Sequence, residues 1–146
     1  MSKLETLLRE ALSARSEASE ALLADLRAAT REASEAVESV TDGAASLKLI
    51  PLDPLPGLGE AFGLALRWNQ DDRIIRVFEF SPNGAQIKLF GSLLGWRERR
   101  DARATVRDRA ALDPLFTDLV SARDSDVVTM LRFIIGNTPK QPADAA

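Results

Sequence analysis

Six arginines fall between positions 97 and 109, interleaved with Glu98, Asp101 and Asp108. A guanidinium grips a phosphate or carboxylate through two parallel hydrogen bonds. Arg97, Arg99, Arg100, Arg103 and Arg107 are therefore the candidate anion-binding residues, for nucleic acid or a phosphorylated ligand. The competing reading is a solvated, ion-paired surface. Trp96, Glu98, Arg100, Ala102, Ala104 and Val106 alternate with Arg97, Arg99, Asp101, Arg103, Thr105 and Arg107, the period of an exposed strand or a strand running into a turn. The interleaved acids weaken the field that electrostatic recruitment needs, and Trp96 is the one aromatic available to stack on a base. The ion-paired surface is the preferred reading.

Other chemistry is thin. The chain has no His, no Cys and no Tyr, which removes Ser-His-Asp and Cys-His nucleophile pairs, imidazole and thiolate metal ligation, and phenolic acid-base catalysis. The run from Gly57 to Gly63 (GLGEAFG) has neither the GK[ST] of a phosphate loop nor G-x-G-x-x-G spacing, and it precedes a strand rather than a helix. Asp71-Asp72 sits in a turn and supplies too few oxygens for a calcium loop. Asp118, Asp124 and Asp126 read as cap and surface residues. No catalytic, cofactor-binding or metal residue is assigned, no cofactor is expected, and the chain leans away from being an enzyme. A small-ligand pocket between sheet and helices, walled by Trp68 or Trp96, is kept as an alternative.

The charge balance agrees. A net charge of −3 and a pI near 5.1 do not suit a general nucleic-acid binder. Residues 1–12 carry Lys3, Glu5, Arg9 and Glu10, so no signal-peptide apolar stretch forms there. No run of ~18 apolar residues occurs, so no membrane-spanning helix is expected. These features place the protein in the cytoplasm, of a bacterium or a phage-infected cell.

The elements that must carry any function begin with a long helix. From Ser2 to Asp42 there is no Gly and no Pro. Ser2 with Glu5 has capping-box spacing, and Gly43 marks a left-handed end. One apolar stripe runs Leu8, Leu12, Arg15, Ser19, Leu22, Leu26, Ala29, Ala33, Ala36, Val40, in the alternating steps of a heptad seam interrupted at Arg15 and Ser19. A second runs Leu4, Leu7, Ala11, Ala14, Ala18, Ala21 and stops at Asp25. Leu8, Leu12, Leu22, Leu26 and Val40 are the candidate partner-binding residues. The alternative is that the helix packs along its own body.

Beyond the helix, residues 47–52 (LKLIPL) read as an edge strand because of Pro51. Period-two segments at 62–68, 73–80 and 85–90, separated by Asn69–Asp72 and Ser81-Pro82-Asn83-Gly84, read as an antiparallel meander. The alternation puts Leu64, Leu66, Trp68, Ile87 and Leu89 on one face. In the 73–80 strand it puts Ile75 and Val77 on one side and Ile74, Phe78 and Phe80 on the other, so both sides need cover. The C-terminal helices are expected on one face, and the N-terminal helix or another subunit on the other. Asp113-Pro114 predicts one helix start. Residues 127–135, capped by Ser125 or Asp126, predict a helix apolar nearly all round and hence buried.

The expectation is an α+β protein: a long N-terminal helix (1–42, oligomerisation or docking), a compact body (43–137) with an antiparallel meander of three to five strands and two short C-terminal helices, and a disordered tail (138–146). The expected function is non-catalytic protein–protein interaction, as an adaptor, accessory or structural subunit. The helix and a sheet face would bind a second copy or another protein.

Overall fold

The computed structural model describes residues 2–122 and 125–137, with side chains described outside 11–18. A helix α1 (Lys3–Val40) is followed by strands β1 (Ala45–Leu52), β2 (Ala61–Trp68), β3 (Asp71–Phe80) and β4 (Ile87–Phe90), a short helix α2 (Leu93–Arg97), strand β5 (Ala102–Val106), and helices α3 (Arg109–Ser121) and α4 (Asp126–Asn137). The five strands pair antiparallel in sequence order. This is the expected α+β arrangement, and the predicted tail at 138–146 lies outside the described residues.

α1 starts as its sequence dictates: Ser2 Oγ accepts from Glu5 N at 3.1 Å. Its end differs by one residue from the expectation. Asp42 takes the left-handed conformation (φ 52°) ahead of Gly43 (φ 80°), the Gly43 amide donates to Glu38 O at 2.8 Å and the Asp42 amide to Ser39 O at 3.4 Å. That pair of bonds is a Schellman closure, and it uses the aspartate because Asn and Asp tolerate the left-handed region better than other side chains do.

The C-terminal half of α1 packs on its own body. Leu22, Leu26, Ala29, Ala33 and Val37 enter the main core. The heptad reading expected Ala36 and Val40 at its end, yet both are exposed and Val37 is buried. A straight helix has 3.6 residues per turn, so the contact line drifts off a 3.5-residue seam within a few turns. Ser19 also gains a reason. A Cβ on Gly84 would stand 2.6 Å from the Ser19 Cβ, so α1 crosses the β3–β4 turn where both residues are small.

α1 also closes a sheet edge. In β1 the amides that do not face β2 fall on alternate residues. Ala45 N donates to Thr41 Oγ at 3.1 Å, Leu47 N donates to Ser34 Oγ at 3.0 Å, and Pro51, in the same phase, has no amide to offer. Free edges invite pairing with another strand, and here the helix and the proline occupy most of this one.

The faces of β3 depart from simple alternation. Leu64 pairs with Arg76 and Ala65 with Ile74, leaving Ile75 as an extra residue. This bulge shifts the phase. Ile75, Phe78 and Phe80 lie in the main core, while Ile74 and Val77 belong to a second cluster with Ala61, Phe90 and Trp96. The expected division of these residues is corrected accordingly. The covering is corrected too: α1, α3 and α4 all contribute to the main core, and the second cluster is roofed by α2 with Leu52, Leu55 and Leu93.

Three further expectations change. Residues Trp96–Arg100 are not strand: Ser92 caps α2 by accepting from Gly95 N at 3.0 Å, and Arg99 (φ 57°) and Asp101 (φ 63°) turn the chain into β5. α3 starts at Arg109, because Asp108 accepts from Ala111 N at 2.9 Å, and Pro114 lies inside the helix. α4 buries one stripe, Val127, Leu131 and Ile134, and leaves Phe133 and Ile135 more than half exposed. It lies against the sheet from one side instead of being surrounded.

The tight crossing at Gly84 makes a prediction. Gly84→Ala combines a left-handed backbone (φ 69°) with a contact onto the α1 backbone and Ser19. It should destabilise the protein by about 1–3 kcal/mol in urea unfolding.

Candidate functional site

The structure divides the predicted contact stripe of α1. Leu22 and Leu26 are 5% and 0% exposed and are spent on the chain's own core. Leu8 and Val40 are 59% and 60% exposed, near opposite ends of the helix; the Leu12 side chain lies outside those described. Residues 2–10 are exposed throughout. Leu4 (78%) and Leu7 (50%), from the second stripe, join Leu8 there to present three leucines over the first two turns. Nearby, Glu5 is held by Arg9 at 3.1 Å.

The arginine segment folds into paired charges. Arg99 donates through both terminal nitrogens to Glu79, at 2.8 and 2.9 Å, and lies 5.0 Å from the centre of the Phe90 ring. Arg100 pairs with Glu98, Arg103 with Asp101 at 3.3 Å, and Arg107 Nε reaches Gln86 Oε1 at 3.4 Å. Arg97 is exposed in the last turn of α2. Four of the five candidate anion-binding guanidinium groups therefore already have an acceptor. The helix and turn at 93–101 also keep them out of one straight row.

Two charged residues that sequence reading passed over organise this region. Glu79 is buried, and its carboxylate accepts from Trp96 Nε1 at 3.0 Å as well as from Arg99. Arg76, with its side chain 8% exposed, donates to both oxygens of Asp126, at 2.7 and 3.0 Å, and to the carbonyls of Ile75 and Gly91. The signal was available: Arg76 and Glu79 are charges inside the otherwise apolar 74–80 segment. What hid their roles was the distance of their partners: alternation sends Arg76 toward α4 and Glu79 toward α2, where Asp126, Trp96 and Arg99 come from far along the chain. No buried polar side-chain atom among the described residues lacks a hydrogen-bond partner.

A cavity of roughly 470 Å³ opens beside the Arg76–Asp126 pair, between the sheet and helices α3 and α4. Phe78, Leu89 and Phe116 form its apolar wall, and Phe78 stacks on Phe116 with ring centres 5.8 Å apart. Arg103 and Asp118 add one charge of each sign. Neither tryptophan lines it. Trp68 meets Phe133 edge-on at 5.6 Å, and Trp96 is buried under the opposite sheet face. The hydroxyl that lines the cavity, Ser125 Oγ, donates to Leu119 O and accepts from Val127 N. It therefore serves as a helix cap. Among the described residues no three Asp or Glu side chains gather closely enough to hold a metal ion, and no helix is long and apolar enough to cross a membrane.

Comparison with known proteins finds no family model that matches the chain, no similar curated protein and no similar solved structure.

The hydrogen bonds from Arg76 hold the Asp126 carboxyl below the usual carboxylate range, against the opposing effect of burial; the Arg76 charge, the Val127 amide and the Arg103 charge pull the same way. A carboxylate whose folded value lies below its unfolded value of about 3.9 stabilises the fold above that pH and loses the contribution as pH falls through the folded value. Asp126→Asn removes the charge facing a buried guanidinium. It should cost about 1–3 kcal/mol at neutral pH. In chemical denaturation across pH, the gap between wild type and variant should close below about pH 4.

Proposed function

We propose that this protein is a non-catalytic assembly or adaptor subunit that binds another polypeptide through the N-terminal part of α1. The observation that carries the reading is the exposure of Leu4, Leu7 and Leu8 on one side of a helix whose other half is docked into the core. A helical segment of fewer than ~12–15 residues is marginal in water unless its apolar face is packed. An exposed leucine stripe at the end of a docked helix suits a contact that a partner completes, in the manner of a helix laid against a helix or groove. The sheet serves as the scaffold that anchors α1, with elements of the same chain packed on both faces. The paired state of the arginine segment takes support away from the anion-binding alternative.

The exposed leucines can be changed without touching the core, since surface substitutions usually move stability by no more than ~0.5 kcal/mol. Leu4→Asp with Leu8→Asp should leave the thermal unfolding of the body unchanged. In quantitative affinity capture from the cells that express the protein, polypeptides retained by the wild type should be lost from the variant. Equal recovery by both would count against the arm as a contact element.

A further inference from the structure

We infer that the occupant of this α1 face is the same face of a second copy of the chain, packed parallel and in register. The inference rests on the assembly reading above and narrows its partner. α1 has two apolar stripes on adjacent faces, and the body takes the one through Leu22, Leu26, Ala29 and Ala33. The other, Leu4, Leu7, Ala11, Ala14, Ala18, Ala21, keeps unbroken three-and-four spacing until Asp25. Its members whose side chains are described, Leu4, Leu7 and Ala21, are all exposed.

This second stripe has the spacing of a coiled-coil seam, with Leu4, Ala11 and Ala18 at a and Leu7, Ala14 and Ala21 at d. Glu10 then falls at a g position and Arg15 at the e position five residues on. In a parallel, in-register pair these two positions face each other across the seam. Two copies set Glu10 against Arg15 of the other copy, twice by symmetry. The sequence offers neither of these residues an opposite charge three or four positions away in its own helix. Glu5, by contrast, is already held by Arg9. A second copy thus supplies an opposite charge across the seam to each of these two residues.

Geometry allows the pair. The body lies on the adjacent face of α1, so a two-fold axis running along the two helices places the bodies on opposite sides. Alanine at most seam positions lets the helices approach closely but buries little area, and the contact rests mainly on Leu4 and Leu7, with Leu8 flanking. The association is therefore weak and concentration-dependent.

Sedimentation equilibrium of the full chain from ~1 µM to ~1 mM covers the range where such a pair forms. The mass should rise from 15.9 kDa toward twice that value. Leu4→Asp with Leu7→Asp should stay at 15.9 kDa with unchanged melting. Glu10→Arg should weaken self-association on the order of tenfold, and adding Arg15→Glu should restore it. The chain has no cysteine, so Leu4→Cys reads the arrangement directly: a parallel pair in register oxidises to a disulfide-linked dimer. A dimer that resists this cross-link overturns the parallel arrangement. A mass fixed at 15.9 kDa up to ~1 mM overturns the second copy. In that case partner capture lost on Leu4→Asp with Leu8→Asp leaves the assembly reading standing, whereas capture unaffected by it removes both.

Discussion

Placing a charge inside a sheet is costly unless the charge is paired and hydrogen-bonded, and β3 places two. Arg76 leaves one face of the strand and binds the Asp126 carboxylate at the start of α4; Glu79 leaves the other and collects Trp96 and Arg99 from α2 and the turn after it. The strand sits in the middle of the five. Each interior charge thus ties a helix to its own side of the sheet, and neither helix can leave without stranding a buried ion. Arg76 and Glu79, three positions apart in the regularly paired part of the strand, leave by opposite faces because side chains alternate, and Ile75, the extra residue of the bulge, adds an apolar side chain to the Arg76 face.

The same economy governs α1. Its docked half supplies the large apolar cover of the sheet through Leu22, Leu26 and Val37, and its small polar residues do work that leucine could not. Ser34 and Thr41 accept the outward amides of β1, and Ser19 leaves room for the turn at Gly84. Arg109 ties α3 back to α1 by reaching Glu32 at 3.0 Å while holding Asp113 in its own helix. Leu4, Leu7 and Leu8, in its N-terminal turns, stay outside this packing.

Much of the architecture was legible in the residues themselves. The long helix follows from forty residues without Gly or Pro. The meander follows from period-two runs punctuated by Asn69 and by Ser81-Pro82-Asn83-Gly84, and the edge position of β1 from Pro51. The departures share a cause. Ile75 looks like any alternating apolar residue until its pairing with β2 is known. Trp96–Arg100 alternates like a strand, and only the Ser92 cap and the turn at Arg99 and Asp101 make part of it helical. Pro114 marks a first turn statistically, but Asp108 caps earlier and the helix tolerates the missing amide.

The candidate site divides along the same line. Sequence alone determined that α1 is helical and carries two apolar stripes, that the chain lacks the side chains of most nucleophilic catalysis, and that the arginine run is interleaved with acids. Those are properties of composition and local period, which depend on the backbone geometry of a single element. Only the tertiary structure decided which α1 residues enter the core, which arginines are bound and to what, and that Arg76 and Glu79 are interior charges. Those outcomes depend on where distant segments meet: a bulge that shifts a strand's phase by one residue, and a helix whose 3.6-residue turn carries it off its heptad line. Neither leaves a mark on the local pattern of residues.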